Sequence, residues 1–384
     1  MTKRVQTLVT LALAMALLLA VGAKAQTFTT LYNFTGSSDG GYPFGGVVRD
    51  AAGNLYGTTY YAGSSYYGVV FKVVPSTQTE TVLYSFTGGS DGGYPYCSVI
   101  LSGGNLYGTT YYAGASGEGV VFEVPTAGGS ETVLHSFTGS PDGEYPFSGL
   151  VIGPKGTLYG ATDDGGSSGY GTVYQVAANG NEKVLFSFDY TDGGFPYQSF
   201  ACDTGCDDLY GTTEEGGTYG YGTLFKYNRD KKTETVLHSF DYSTTDGAYP
   251  YAGSLIRDAQ GNLYGVAQEG GSNYYGVVYK ISKTGTETIL YNFDYSNSGG
   301  YPIGSLAIDK KGNLYGATED GGANGYGTIW KLTPGGTFTV LHAFSYSDGG
   351  YPYAGVMRTA NGTLFGTTYL GGTDGYGTVF SLVP

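Results

Sequence analysis

The sequence has few charged residues, and basic residues are the scarcer kind. Charged residues make up 13% of the chain, and 18 Lys and Arg stand against 32 Asp and Glu, giving a formal net charge of −14 at pH 7. Proteins that bind nucleic acid need basic patches to neutralise phosphates, and anionic membrane surfaces attract basic segments. The charge balance argues against both partners and is typical of a soluble acidic protein.

Cysteine is also scarce, and three residues are too few for a disulfide-dense scaffold. Cys202 and Cys206 lie four positions apart in a predicted turn, so they are candidates for a local disulfide in an oxidising compartment. No histidine lies in that turn, so the pair lacks the further ligands of a metal site. Cys97 takes a place that small residues hold elsewhere, and we interpret it as a small buried residue and not a nucleophile.

Only one long hydrophobic run is present, and it lies at the N-terminus. A basic start and an apolar run from Leu8 to Val21 lead to an A-x-A cleavage site that ends at Ala25. These are the parts of a secretory signal peptide, and the run is short for a transmembrane helix, which needs about 20 residues. We therefore interpret residues 1–25 as a signal peptide. We expect a secreted or periplasmic protein with neither a membrane span nor a C-terminal anchor in the mature chain.

Glycine and tyrosine, in contrast, are abundant, with 69 and 40 residues, and they recur in a fixed pattern. A Leu-aromatic-Gly step occurs seven times, beginning at Leu55, Leu106, Leu158, Leu209, Leu263, Leu314 and Leu364. Successive leucines lie 50 to 54 residues apart. So long and regular a period indicates a solenoid, a propeller or an array.

Each repeat contains four strand-sized runs, which we name A to D in chain order. In the second repeat they are residues 98–101, 105–111, 119–124 and 131–137, rich in β-branched and aromatic residues and bounded by Gly, Pro and Ser. Seven repeats of four antiparallel strands predict an all-β protein, a seven-bladed β-propeller.

The two ends of the chain are out of phase with the repeats. Residues 27–34 have the pattern of a D strand with no A, B or C strand before it, and residues 353–382 supply A, B and C strands with no D strand after them. Together the fragments complete one blade and pair strand edges that would otherwise invite aggregation. We therefore predict that residues 26–384 form a single propeller, closed by pairing the N-terminal strand with the C-terminal blade.

Two steps of the repeat resemble a known family. The step Asn-Leu-Tyr-Gly-Thr-Thr at residues 54–59 and 105–110, and the step Gly-Thr-Val-Phe at residues 377–380, are similar to GloVer tandem repeats. The resemblance covers essentially the whole mature chain. It implies an exported bacterial repeat protein without an established activity, and it supplies no catalytic residues. Members often end in a surface-anchoring tail, from which this sequence departs.

Several conspicuous residues occupy a repeated position. His135, His238 and His342 each follow the leucine of a D strand, where other blades carry Tyr or Phe, so we expect neither a catalytic nor a metal-binding cluster. Trp330 takes the place of Phe71 in its own blade and is expected to pack between blades. The Asp-Gly pairs before each Gly-Tyr-Pro step suit tight turns. Calcium binding is the alternative for these aspartates, but no run of alternating carboxylates supports it.

No nucleophile elbow, phosphate loop or zinc-protease motif is present, and we expect no cofactor. Function is therefore to be sought where the repeats differ, in the D-to-A and B-to-C loops, which should share one face. The B-to-C loops begin with acids in blades 3 to 6 and with aromatics in blades 7, 1 and 2. The candidate ligand-binding residues are Tyr60, Tyr61, Tyr111, Tyr112, Asp163, Asp164, Glu214, Glu215, Glu269, Glu319, Asp320 and Tyr369.

Three functions are compatible with such a face. A binding module would hold an extended neutral or cationic ligand, a carbohydrate or a peptide, with tyrosines stacking on it and carboxylates accepting its hydrogen bonds. A polysaccharide-acting enzyme would need two carboxylates roughly 5–9.5 Å apart, such as Asp163 and Glu214. A passive envelope or adhesion scaffold would bind no soluble ligand. The pattern favours a binding or scaffold protein over an enzyme.

Overall fold

Seven four-stranded antiparallel sheets make up the computed structural model, which describes residues 26–197, 199–251 and 254–384. The seven-bladed propeller expected from the repeat is confirmed. The signal peptide expected over residues 1–25 lies outside the described residues. Within the described part of the chain, no helix is long and apolar enough to cross a membrane.

Strands A to D of each blade follow one another in chain order, and blade 1 begins at Val48. The A strands of blades 1 to 7 are Val48–Arg49, Ile100–Ser102, Val151–Ile152, Ala201–Cys202, Ile256–Arg257, Gly300–Ile308 and Met357–Arg358. The B strands are Leu55–Thr59, Asn105–Thr110, Leu158–Thr162, Asp208–Thr213, Leu263–Ala267, Leu314–Asp320 and Leu364–Thr368. The C strands are Val69–Val74, Val120–Pro125, Thr172–Val176, Thr223–Asn228, Val277–Ile281, Thr328–Leu332 and Thr378–Val383.

The D strands lie at the rim of the propeller, and the first one in the chain belongs to the last blade. In blades 1 to 7 they are Thr79–Ser85, Thr132–Ser136, Glu182–Ser187, Thr233–Ser239, Glu287–Asn292, Phe338–Ala343 and Thr27–Asn33. A short pair, Gly247–Ala248 with Glu269–Gly270, and a single 3-10 turn at Pro154–Gly156 complete the regular structure. Strand D of blade 7 pairs antiparallel with strand C, from Thr27 opposite Val383 to Asn33 opposite Thr378, which fits the split blade expected from the sequence.

The glycine of each Leu-aromatic-Gly step lies directly opposite an aromatic residue of strand C. In blade 1, Gly57 pairs with Phe71, and a Cβ atom on Gly57 would lie 2.7 Å from Cζ of that ring. The glycine is therefore required because the aromatic ring covers its backbone, which a side chain would block.

The hydrophobic core consists of clusters formed between adjacent blades. Each D strand is followed by a phenylalanine with no exposed surface: Phe34, Phe86, Phe137, Phe188, Phe240, Phe293 and Phe344. Each of these rings meets the strand C aromatic of the next blade at a tilted or edge-on angle of 57° to 72°, with centroids 5.0 to 5.7 Å apart. Trp330 is one of these strand C aromatics, so it packs between blades as expected.

The aspartates of the Asp-Gly pairs hold the turns that follow the D strands. The carboxylate of Asp91 accepts a hydrogen bond from the backbone N–H of Thr87 at 2.7 Å and another from the Tyr84 hydroxyl at 2.9 Å. His135 contacts Asp142 in the same way, with Nε2 3.2 Å from Oδ2. The aspartates thus have the turn role expected from the sequence, and each histidine substitutes for an aromatic residue at the rim.

The disulfide expected from the sequence is present, whereas the burial of the third cysteine differs from the expectation. Cys202 and Cys206 form a disulfide across the turn between strands A and B of blade 4. Cys97 is half-buried and lines a small cavity on the propeller axis, whereas we expected a small buried residue. Its thiol lies 2.8 Å from the carbonyl oxygen of Phe147, and burial raises the pKa of the thiol to about 12. A thiol in this state is protonated at neutral pH and is a poor nucleophile.

The N-terminal strand should contribute as much to stability as any other D strand. Leu31 is 6% exposed, and Leu83, at the equivalent position of blade 1, is 8% exposed. Because both leucines fill similar sites between blades, we expect Leu31→Ala and Leu83→Ala each to lower the free energy of unfolding by about 2–4 kcal/mol. Urea denaturation followed by tyrosine fluorescence measures both changes.

Leu83→Ala is the matched control, since its strand is continuous with the rest of its own blade. If Leu31→Ala costs much less than Leu83→Ala, the N-terminal strand frays from the blade and does not close the ring.

Candidate functional site

The D-to-A and B-to-C loops lie together on one face of the propeller, which we call the loop face. In every blade a backbone bridge joins the two loops. The bridges are Gly41 with Tyr61, Gly93 with Tyr112, Glu144 with Asp164, Gly194 with Glu215, Ala248 with Glu269, Gly300 with Asp320, and Gly350 with Leu370. The candidate residues from the sequence are therefore gathered on a single surface.

The aromatic residue before the proline of each Gly-Tyr-Pro step, Phe195 in blade 4 and tyrosine elsewhere, ties neighbouring blades together on this face. Tyr94, for example, adopts a φ of 58° and donates its backbone N–H to the carbonyl of Tyr67 in the preceding blade at 2.8 Å. The equivalent backbone bonds at the other blades measure 2.8 to 3.1 Å. A positive φ is unusual for a residue other than glycine, so the surrounding contacts must hold these aromatic residues in place.

The residue after each Gly-Tyr-Pro step points to the propeller axis, and together these residues form what we call the axial ring. Its members are Phe44, Tyr96, Phe147, Tyr197, Tyr251, Ile303 and Tyr353. The rings of Phe44 and Tyr353 stack with centroids 4.5 Å apart, and Tyr197 lies 4.7 Å from Phe147 and 4.9 Å from Tyr251. The axial ring therefore fills the centre of the loop face with aromatic side chains.

The first residue of each B-to-C loop lies against the axial ring, and we call this set the inner ring. Its members are Tyr60, Tyr111, Asp163, Glu214, Gln268, Glu319 and Tyr369. On the aromatic side, Tyr60 and Tyr111 lie 4.6 Å and 5.1 Å from Tyr96, and Tyr369 lies 5.3 Å from Tyr353. These three tyrosines are half-buried, so they extend the aromatic surface outward from the axis.

The acidic side of the inner ring is hydrogen-bonded to the axial tyrosines. Glu319 accepts a hydrogen bond from the Tyr353 hydroxyl at 3.1 Å and another from Gln268 at 2.9 Å. Burial, and then the charge of Glu215, raise the pKa of Glu214 to about 7. Gln268 was absent from the sequence candidates because an amide did not fit a search for acids and aromatics.

Asp163 is the most deeply buried of the candidates. It is 3% exposed, and its Oδ1 atom has no hydrogen-bond partner. Burial, and then the negative charge of Asp164, raise the pKa of Asp163 to about 8. This carboxyl group is therefore largely protonated at neutral pH, and a ligand on the surface does not reach its buried oxygen without movement of the residues above it.

The second residue of each B-to-C loop points away from the axis, and the members of this outer ring include Tyr61, Tyr112, Asp164, Glu215, Glu269 and Asp320. Tyr61 and Tyr112 are 38% and 41% exposed, and Tyr112 lies edge-on to Tyr145 with centroids 5.2 Å apart. Glu215 and Asp320 each accept a bond from a tyrosine hydroxyl, at 3.5 and 3.3 Å. The candidates thus form an inner and an outer set, because successive residues of an extended chain point in opposite directions. In blade 2 the two sets meet, since the rings of Tyr111 and Tyr112 lie 4.4 Å apart.

The loop face has no basic side chain among the described residues. Every lysine and arginine of that part of the chain lies in a strand or in an A-to-B or C-to-D turn, whereas the D-to-A and B-to-C loops carry many of the acids. Several large exposed side chains of the same loops are tyrosines, namely Tyr61, Tyr66, Tyr112, Tyr219, Tyr274 and Tyr346. The loop face is therefore acidic and rich in exposed tyrosine.

The axis of the propeller opens away from the loop face. A cavity of about 440 Å³ is lined by strand A residues, among them Val48, Ile100 and Met357. Beneath the axial ring the space narrows to about 50 Å³. The ring therefore closes the channel, and a ligand on the loop face would lie across the surface and not in a deep pocket.

A second group of polar residues, which sequence reasoning missed, lies at the rim between outer strands. His135 and Asp142 meet Glu182 of the next blade, and His238 and Asp246 meet Glu287. Each group brings three potential ligand atoms within 4.8 Å of one another. The signal available in the sequence was a glutamate that recurs near the start of five D strands, at Glu80, Glu131, Glu182, Glu234 and Glu287.

These properties define a seven-bladed propeller built from sequence repeats. Its axis is closed at the loop face, which is acidic and rich in tyrosine. The Gloeobacter/Verrucomicrobia repeat family matches residues 18–207 and 205–384, and the chain belongs to this family. No curated protein sequence matches it.

Two solved structures share the fold at low sequence identity. One is described as the extracellular domain of a hybrid two component system, BT4673 from B. thetaiotaomicron, with 13% identity and a TM-score of 0.59. The other is described in the same way for BT3049, with 14% identity and a TM-score of 0.55. Each match covers 93% of this chain but only 40% and 41% of the solved chains. At this identity the likeness shows the fold alone.

The protonated state of Asp163 can be tested through the pH dependence of stability. Its pKa is about 8 in the folded protein and near 3.8 without that environment. Between these values the folded state binds more protons, so Asp163 lowers the free energy of unfolding as the pH rises from about 4 to 8. When the pH is raised from 5 to 9, the free energy of unfolding should fall in the wild type. In Asp163→Asn we expect this fall to be smaller by at least about 1.4 kcal/mol.

Urea denaturation at the two pH values provides the measurement. Asp374→Asn, at an exposed position of the B-to-C loop of blade 7, is the control and should behave as the wild type does. Equal losses in the wild type and Asp163→Asn would show that Asp163 is ionised throughout.

Proposed function

We propose that the chain is an exported binding module whose loop face holds an extended neutral carbohydrate. The observation that carries the proposal is the combination of exposed tyrosines with tyrosine-bonded carboxylates on a surface without basic residues. The extracellular domains with the same fold and the disulfide between Cys202 and Cys206 support a secreted or periplasmic location.

The chemistry of the outer ring suits sugar rings. Tyr61 and Tyr112 present aromatic surface in a row around the face, and such surface packs against the apolar side of a sugar. Glu215 and Asp320 follow on the other side of the ring, and their oxygens accept hydrogen bonds from hydroxyl groups. An extended ligand would therefore contact stacking groups and acceptors along one path.

The raised pKa of the inner carboxyl groups favours a neutral ligand over a cationic peptide. Glu214, with a pKa of about 7, is present in both the protonated and the ionised form near neutral pH. Such a group donates as well as accepts hydrogen bonds, which matches hydroxyl groups better than ammonium groups. A cationic peptide is the alternative ligand, because the face carries acids and, among its described residues, no lysine or arginine.

A polysaccharide-acting enzyme is less well supported. Two carboxyl groups must reach the bond to be cleaved, but Asp163 is buried and both oxygens of Glu319 are already hydrogen-bonded. Glu214 is therefore the one inner-ring carboxyl group left for this role in the described structure. A passive scaffold requires none of these arrangements.

Binding should depend on the exposed tyrosines of the outer ring. Soluble neutral oligosaccharides and cationic peptides would be titrated into the purified protein by calorimetry. We expect an oligosaccharide to bind, and Tyr61→Ala or Tyr112→Ala to weaken it about tenfold, since each variant loses stacking area and leaves ligand surface in water.

Ile152→Ala provides the matched control, because Ile152 is 38% exposed like Tyr61 but lies in strand A near the opposite face. If only cationic peptides bind, the ligand is a cationic peptide and not a carbohydrate. Turnover of a polysaccharide that Glu214→Gln abolishes would establish an enzyme. If neither oligosaccharides nor peptides bind, the proposed binding function fails and a passive scaffold is the function that is left.

A further inference from the structure

We propose that the rim of the propeller contains two zinc sites, one formed by His135, Asp142 and Glu182 and the other by His238, Asp246 and Glu287. In each site the histidine and the glutamate lie on the D strands of adjacent blades, and the aspartate lies in the D-to-A loop between them. One imidazole nitrogen and two carboxylate oxygens are a donor set that zinc accepts, with a fourth position left for water.

The histidine and the aspartate of each cluster are in hydrogen-bonding contact, and the three potential ligand atoms lie within 4.8 Å of one another. Nε2 of His135 lies 3.2 Å from Oδ2 of Asp142. Nε2 of His238 lies 3.1 Å from Oδ1 of Asp246 and 3.9 Å from Oε2 of Glu287. Ligand atoms about 2.0–2.2 Å from a tetrahedral zinc lie roughly 3.3–3.5 Å apart. Small side-chain rotations would therefore bring all three atoms to bonding distance.

Each cluster also has a buried acceptor without a partner, a feature shared by the equivalent glutamates of the three positions that lack the histidine, Glu80, Glu131 and Glu234. Oε1 of Glu182 and Oε1 of Glu287 are inaccessible to solvent, and neither has a hydrogen-bond partner. In the described structure no lysine or arginine forms an ion pair with the two carboxylates of either cluster, and the histidine is the basic group that contacts them. A divalent cation would neutralise both carboxylates at once.

The surrounding structure holds the ligands in position. The carboxylate of Asp142 accepts a hydrogen bond from the backbone N–H of Thr138 at 2.9 Å, and that of Asp246 accepts one from Asp241 at 3.0 Å. Each histidine ring lies edge-on to the buried phenylalanine two residues later, with centroids 4.8 Å apart. Contacts of this kind fix the orientation of metal ligands.

Four of the other positions lack one ligand, and the fifth, with Tyr291, Ser298 and Phe338, lacks all three, which makes them natural comparisons. Tyrosine replaces the histidine in the groups Tyr32, Asp39, Glu80 and Tyr84, Asp91, Glu131, and phenylalanine replaces it in the group Phe186, Asp192, Glu234. His342 keeps its aspartate, Asp348, at 3.0 Å, but Phe28 replaces the glutamate and stacks on the imidazole at 3.8 Å. Complete sets therefore occur in two of the seven positions.

A further difference falls in the same two blades. The strand C aromatic is a tyrosine in blades 3 and 5, at Tyr174 and Tyr279, and Phe or Trp in the other blades. Both tyrosines are fully buried, and neither hydroxyl has a hydrogen-bond partner. The blades that complete the two clusters thus differ from the rest at a second buried polar position.

Zinc binding to metal-free protein without a histidine tag tests the proposal. Equilibrium dialysis with metal analysis should give two zinc ions per chain, and added zinc should raise the Tm because it binds the folded state. His135→Tyr and His238→Tyr should each remove one ion, and the double variant should bind none and show no rise in Tm. Tyrosine is the residue at this position in other blades, so the variants should fold.

His342→Tyr is the matched control, and it should keep two ions, since His342 has no glutamate beside it. Glu182→Gln and Glu287→Gln should each weaken one site at least about tenfold while leaving the histidine in place. The proposal fails if the double histidine variant still binds two ions, if His342→Tyr loses an ion, or if the wild type binds none. In that last case the rim carboxyl groups share a proton and need no metal.

Discussion

The contact between a buried phenylalanine of one blade and the strand C aromatic of the next is the interaction on which the rest of the structure depends. It occurs seven times at nearly the same distance, from Phe34 on Phe71 to Phe344 on Phe380. A single blade cannot bury both of its faces, so each blade relies on its neighbour for a core. The contact of Phe34 with Phe71 needs the strand that precedes the first complete blade, and this strand, residues 27–33, pairs with residues 378–383 of blade 7.

Because this contact is nearly the same in every blade, residues on the loop face and at the rim can differ between blades without disturbing it. On the loop face the inner ring changes from tyrosine to carboxylate without altering the bridges between the loops. At the rim, a phenylalanine can stand where five blades have a glutamate, and it then stacks on its neighbour, as Phe338 does on Tyr291 at 3.9 Å. Variation at both places is therefore independent of the fold and available for function.

The sequence was sufficient for the fold because the determining contacts repeat with the period of the chain. Gly57 is a glycine because Phe71 covers it, and the period of the Leu-aromatic-Gly step, together with the four strand-sized runs in each repeat, predicted the blades. The loop face was also predictable, since strands alternate in direction. The two concentric rings were not, because the inward direction of Tyr60 and the outward direction of Tyr61 depend on where the strand ends. The rim clusters were missed since Asp142 and Glu182 belong to different blades.

Two kinds of buried carboxyl group emerge from this arrangement, and their neighbours distinguish them. Asp163 and Glu182 both have an oxygen without a partner, and burial raises the pKa of each carboxyl group above its ordinary value. The charged neighbours of Asp163 are the acids Asp164 and Glu214, which do not offset its charge, so a proton makes it neutral. Glu182 lies beside His135 and Asp142, which can both bind a metal ion. A buried carboxyl group is therefore neutralised by a proton at Asp163. At Glu182 a metal ion is the alternative, because His135 supplies a further ligand there.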